Sequence, residues 1–377
     1  MTNSFIRATA ALAMLGASLP ALAASATATR AWDFKPESNA GLKVRNLIGN
    51  VRVERGDTPG FRVTATATID TSSQAEAERL LTLIDYRTSD VGPGSRLDVH
   101  LPKEHFPKLY QSKGSSAWYA ASYVEYLGER IRLVNDKDAA PALRVDLVIR
   151  APAGAKLEVI NTFGEQVAEN YSGTLRLDGG SGLLSSTGGE GRLELDNGSG
   201  PVVVNRHKGS VSADTGSGSV KVTDCDCEIS ADTGSGEVDI QGGKGSLSAD
   251  TGSGGVRVQG FAGKLAADTG SGSVIARGVT DVTALHMDTG SGSVTIEGDL
   301  SAMTKLGIDT GSGSVNLRSS SQPSMELRIE PGSGGVNVDA PGATIRETDD
   351  TTIVKMKDGA GSGMIDTGSG SVHITFQ

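Results

Sequence analysis

Residues 211–264 read V-S-A-D-T-G-S-G-S, V-K-V-T-D-C-D-C-E, I-S-A-D-T-G-S-G-E, V-D-I-Q-G-G-K-G-S, L-S-A-D-T-G-S-G-G, V-R-V-Q-G-F-A-G-K in consecutive blocks of nine. Each block opens on an apolar, a polar and an apolar residue, the period-2 alternation of a strand whose first and third side chains share a face. The other six residues are mostly Gly, Ser, Asp and Thr, which supply positive φ and side-chain-to-backbone hydrogen bonds for tight reversals. Two blocks make one flattened rung. D-T-G-S-G begins at Asp214, Asp232, Asp250 and Asp268, 18 residues apart, then at Asp288, Asp309 and Asp366, after degenerate copies at Asp178 and Asp196. A short period this regular means stacked, near-identical turns.

The expected fold is therefore all-β: a parallel β-solenoid with rungs of about 18 residues, two strands each. One inward face should stack Val211, Ile229, Leu247 and Leu265 beside Ala213, Ala231, Ala249 and Ala267; the other should stack Val202, Val220, Val238, Val256 and Val274 over Val204, Val222, Ile240, Val258 and Ala276. Beyond Asp268 the spacing lengthens to 20 and then 21 residues, and the alanine column enlarges to Met287, Ile308 and Ile329. Larger core residues need a wider rung, so the solenoid is expected to broaden toward its C-terminus, with the added residues in the turn opposite D-T-G-S-G.

Outside the repeat the chain changes character. Residues 1–24 carry Arg7, an apolar run near Ala8–Leu19 and the small residues Ala21–Ser25, the pattern of a secretory signal peptide. The apolar run is too short to span a bilayer, and no later stretch approaches that length, so a soluble extracytoplasmic protein is expected, periplasmic, secreted or at the cell surface. Residues 25–155 read as a β-rich capping region. Leu42-Lys43-Val44 and Val51-Arg52-Val53 form an early rung, Phe61 to Ile69 a longer strand, and Ser73-Gln74-Ala75-Glu76 a capping box opening a short helix through Ile84. An insertion at about 103–140 holds Trp118, Tyr119, Tyr123 and Tyr126; as a helix it would set the three tyrosines on one face, making these four the candidate partner-binding residues. Residues 156–377 are the repetitive solenoid.

The formal charge of -10 speaks against nucleic acid as a partner. Cys225 and Cys227, the two cysteines, form one C-D-C at a turn, free or bridged locally, and lack the His that a metal site would need nearby. D-T-G-S is also the local signature of aspartic proteases, but their chemistry needs two Asp converging from two lobes, whereas these copies run along one edge. Stacking aligns Asp196, Asp214, Asp232, Asp250 and Asp268 in a column where like charges about 4.8 Å apart repel by roughly 3–4 kcal/mol at an effective dielectric near 20. Hydrogen bonds from each turn's own N–H groups offset this in the simplest reading; a column of Ca²⁺ ions is the alternative. No cofactor is expected. The five His show no metal-ligand spacing, and no Ser/His/Asp arrangement stands out.

The early unit at Leu42–Val53, the segment Ala151-Pro152-Ala153-Gly154-Ala155-Lys156-Leu157-Glu158-Val159 and the serial G-S-G-x-V-x-V rungs together resemble a known family. They are similar to the bacterial β-strand-repeat proteins of unknown function classed as adhesins, and Asp358 to Val372 looks like their usual last rung. The resemblance implies an extracytoplasmic solenoid without established catalytic residues. It points to a non-enzymatic adhesin or scaffold whose partner is an envelope protein or glycan, with a carbohydrate-acting β-helix enzyme as the rival. Independently of the resemblance, Ser371 to Phe376 is expected to end the stack as an edge with unpaired backbone groups, suited to adding a partner strand or to self-association.

Overall fold

A computed structural model of the chain describes residues 9–11, 24–35, 40–92, 94–110, 123–134 and 140–377. The described residues form a nearly all-β structure with one α-helix, and fall into two compact units, Met1–Gly200 and Pro201–Gln377.

In the second unit the nine-residue blocks become alternate strands of two parallel ladders. Lys208–Thr215, Asp226–Thr233, Lys244–Thr251 and Ala262–Thr269 pair in strict 18-residue register on one face, and Val202–Asn205, Val220–Thr223, Val238–Gln241 and Val256–Gln259 on the other. Both expected inward columns are buried. The 16-residue strand Val274–Thr289 then joins both ladders through a longer corner that adds Val279 and Val282 to the core, and the next corner adds Leu300 and Met303. Extra length opposite D-T-G-S-G therefore carries extra apolar volume. Cys225 and Cys227 are joined by a disulfide across their turn, with Cα atoms 5.4 Å apart.

The last rungs do not stack in sequence order. Ile308 faces Ile365, and Ile365 faces Ile329, so Gly361–Thr367 lies between Lys305–Thr310 and Met325–Glu330. On the other ladder Val372–Phe376 lies between Val315–Ser319 and Val336–Asp339. The expectation that Ser371 to Phe376 is an unpaired edge is thus overturned: it is an internal strand, and Phe376 is buried. Pro331 supplies the physical reason. In preceding rungs the Thr at this position turns its backbone toward the following rung, as the Gly234 N–H bond to Thr215 O and the Gly252 N–H bond to Thr233 O show. Pro331 has no N–H to offer there, so its rung belongs on the outside. An antiparallel hairpin, Thr344–Glu347 with Thr352–Met356, continues the sheet beyond Met325–Ile329 and stops short of Pro331.

The first unit builds rungs of the same kind. Leu42–Ile48 and Val51–Arg55 stack on Ala155–Phe163 and Gln166–Glu169, as expected of an early rung, and Ser172–Ser181, Leu184–Thr187 and Glu190–Asn197 follow. The early rung's next neighbours, Ala142–Ala151 and Gly94–His100, are still parallel to it, and the pairing turns antiparallel from there outward. One ladder continues through Ala142–Ala151, Phe61–Thr71 and Ala24–Phe34, the last also paired with Thr9–Ala11; the other continues through Gly94–His100 and Asp85–Val91. Most of the expected signal peptide lies outside the described residues. The helix Gln74–Thr82 is capped as the sequence implies, with Ser73 Oγ accepting the Glu76 N–H at 3.3 Å, and it buries Ala77, Leu80 and Leu81.

Candidate binding surface

The outer face of the D-T-G-S-G strands is set by what the corner does with its two polar residues. The hydroxyl of Thr251 donates to Gly236 O and accepts the Gly254 N–H, both at 3.0 Å, and Thr233 and Thr269 repeat the pattern. These threonines are buried, while Asp232, Asp250 and Asp268 point out to solvent. The expectation that the Asp carboxylates accept the turn's N–H groups is therefore corrected. Strand alternation turns Thr inward and its neighbour outward, so Thr reaches the turn. Among the described residues Asp232, Asp250 and Asp268 have no side-chain hydrogen bond or ion pair, and no cluster of His, Cys, Asp or Glu could hold a metal ion. In the first unit Asp196 instead accepts from Arg176 at 3.0 Å, and desolvation, followed by the Asp196 charge, raises Asp178 above the usual carboxylate range.

Stacked D-T-G-S copies place their Asp on adjacent rungs along one edge, in register from Asp214 through Asp309 to Asp366. No two converge from separate lobes, as the aspartic-protease reading would require. On the opposite ladder the outward positions Lys221, Asp239 and Arg257 share one register; Lys221 Nζ lies 3.2 Å from Asp239, whereas Arg257 pairs with Glu237.

Of the four aromatic candidates, Trp118 and Tyr119 lie outside the described residues. Tyr123–Tyr126 is a strand, paired antiparallel with Glu129–Val134 across a turn at Leu127 and Gly128, both with positive φ. Strand parity sends Tyr123 and Tyr126, three apart, to opposite faces, so the expected helical face is not formed there. Tyr126 is 7% exposed and donates to Val99 O at 2.9 Å; Tyr123 is 50% exposed, with the Arg130 guanidinium 4.3 Å from its ring centroid. Nearby, buried His100 Nε2 lies 2.9 Å from Glu129 Oε1. Burial alone would push Glu129 up, but its bonds to His100 and the Lys103 N–H hold it below the usual carboxylate range.

A groove that the sequence reading missed lies on the outer face of the second unit. Its volume is about 450 Å³, and Lys264, Ala266, Ala284, His286, Lys305 and Gly307 line it. The small residues make the depression. A Cβ on Gly307 would come 2.8 Å from His286 Nδ1, so glycine is what lets the imidazole lie across its neighbour. Lys264, Ala284 and Lys305 share one register, and Ala266, His286 and Gly307 the next. Exposed Met364 follows Gly307 on the adjoining strand. The strip Ser212, Ser230, Ser248, Ala266 was the available signal, a line of small outward side chains; its continuation is hidden once the period shifts to 20 and 21.

Parallel rungs with inward apolar pairs and threonine-locked corners define a β-solenoid-type repeat protein. The chain belongs to the Toastrack DUF4097 family, which matches residues 146–375. No curated protein matches the chain. Among solved structures, a proposed cell adhesion protein from Clostridium sporogenes ATCC 15579 aligns over 93% of this chain and 100% of its own, at 10% identity and a TM-score of 0.18. So low a score adds nothing to the argument for fold or function.

Proposed function

We propose that the protein is a non-enzymatic adhesin or scaffold of the cell envelope or its exterior, and that the groove at Lys264, His286 and Lys305 is its contact surface for an acidic glycan. The groove carries this reading. In a chain of formal charge -10 it gathers two lysines and a histidine around a floor of small and apolar atoms, which suits a sugar chain with anionic substituents. Lys264 and Lys305 stand two strands apart, about 9.6 Å from the usual strand spacing, so a linear polymer lying across the rungs would meet both. Export is supported by the signal-like N-terminus and by the Cys225–Cys227 disulfide, a bond that persists in oxidising compartments. No helix among the described residues is long and apolar enough to cross a membrane. Exposed Tyr123 in the aromatic insertion is the second contact point to be tested.

The test is an array of acidic and neutral glycans, run with a screen for hydrolysis and elimination. Lys264→Glu with Lys305→Glu should abolish binding to acidic glycans without lowering the melting temperature, and binding by the native chain should weaken as salt rises. Undiminished binding by that variant, with loss on Tyr123→Ala, would move the surface to the insertion. Turnover without stoichiometric binding would overturn the non-enzymatic reading.

A further inference from the structure

The strand pair Gly361–Thr367 and Val372–Phe376 occupies a rung between two that precede it in the chain. Gly361–Thr367 and Val372–Phe376 have hydrogen-bonded neighbours on both sides, and Ile365, Val372, Ile374 and Phe376 are buried. The flanking rungs also match each other. Leu306 and Ile308 precede Leu327 and Ile329 by 21 residues, and Val315 and Leu317 precede Val336 and Val338 by the same interval. With the tail withdrawn, the outer rung can stack directly on the inner one, inward residues over inward residues. The ladder bonds and apolar contacts opened by withdrawal are then largely re-made. Pro331 permits this closure, because it faces outward in either arrangement.

Withdrawal of this rung therefore costs less than opening an ordinary internal strand, whose neighbours would be left unpaired. The released tail keeps the alternation of Val372, Ile374 and Phe376 and a full set of backbone donors and acceptors, the properties of a donor strand. We propose that the C-terminal rung is exchangeable between copies, the tail of one chain filling the slot between the Lys305–Ser319 and Met325–Asp339 rungs of a second. A second copy is the partner whose slot matches the tail at every position: Ile365 between Ile308 and Ile329, Ile374 between Leu317 and Val338. The 21 residues from 340 to 360 give the tail its reach, and their hairpin is the segment that must peel away. Reciprocal exchange repeats contacts already present in the single chain, which is why swapping is a low-cost route to a dimer.

Full-length protein tests this directly. The Ser371 N–H lies 3.3 Å from Ser314 Oγ, and adjacent parallel strands put the two Cα atoms about 4.8 Å apart, within disulfide reach. Ser314→Cys and Ser371→Cys chains, each full length, are mixed, incubated just below the melting temperature and oxidised. Peptide mass mapping should find the two introduced thiols joined between chains, in an amount that grows with incubation. Unlabelled and ¹⁵N-labelled native chains treated alike should give mixed-mass dimers by native mass spectrometry, and the oxidised double variant Ser314→Cys/Ser371→Cys should give none. Absence of mixed-mass dimers from the native chains overturns the proposal. So does their undiminished formation by the locked double variant, which would place the dimer contact elsewhere.

Discussion

Thr251→Val tests which corner residue holds the rungs together. The substitution keeps the β-branched shape and removes only the hydroxyl, which is buried and makes two bonds of 3.0 Å. Gly254 N–H and Gly236 C=O, both on half-buried glycines, would lose their partner; an unsatisfied buried group costs about 1–3 kcal/mol, and partial exposure places these two toward the low end. Both losses together predict about 2–4 kcal/mol, because the valine methyl recovers some packing. For a unit of this size each kcal/mol shifts the melting temperature by about 2–4 °C, so a fall of roughly 4–16 °C is expected in calorimetry, with a matching drop in urea midpoint. The control is Asp250→Ala, one residue away in the most conspicuous motif of the chain. Its carboxylate is exposed between Asp232 and Asp268, so removal should stay within about 0.5 kcal/mol or stabilise slightly. A Thr251→Val variant as stable as the native chain, or an Asp250→Ala variant as damaged as Thr251→Val is expected to be, refutes the assignment of the corner to threonine.

Three further outcomes are expected. Val222→Asp buries a charge at a fully buried position and should cost several kcal/mol, whereas Asp239→Ser on the same ladder gives up a part-exposed ion pair with Lys221 and a hydrogen bond from Gln241 and should cost about 1 kcal/mol; equal losses in thermal unfolding would show that the strand parity is wrong. Glu129 is held below its ordinary value of 4.5, so its contribution is present above that pH and is lost as pH falls through the depressed value; Glu129→Gln should flatten the acid limb of stability, and an unchanged limb would exclude the His100–Glu129 contact as its source. Millimolar Ca²⁺ added to chelator-stripped protein should leave the melting temperature unchanged, whereas a rise would restore the Asp column as a metal site, since a native-state ligand stabilises by mass action.

The candidate surface was legible only in outline. The small-residue strip at Ser212, Ser230, Ser248 and Ala266 is visible as a pattern, but the alignment of Lys264 with Lys305 and the approach of His286 to Gly307 depend on how corners of unequal length are absorbed. Tyr126 illustrates the same limit. Its spacing from Tyr119 and Tyr123 fits a helix face, yet partner strand Glu129–Val134 made the segment a hairpin and put Tyr126 into the core. Short apolar and aromatic runs carry no local preference strong enough to resist such pairing.

What the sequence determined by itself was everything with a local cause. The 18-residue register follows from the repeat, the buried columns from strand parity, and the helix at Gln74–Thr82 from the Ser73 cap; each involves neighbours in the chain or the same position one rung on. Tertiary structure alone decided the order of the last rungs. Leu327 and Ile329 fit over Leu306 and Ile308 as well as beside Gly363 and Ile365, so periodicity cannot choose between the two stackings. The choice falls to long-range hydrogen bonding. A rung ending in Pro331 cannot donate outward from that position, while the rung ending in Thr367 can bond on both sides, so the rung later in the sequence takes the inner place.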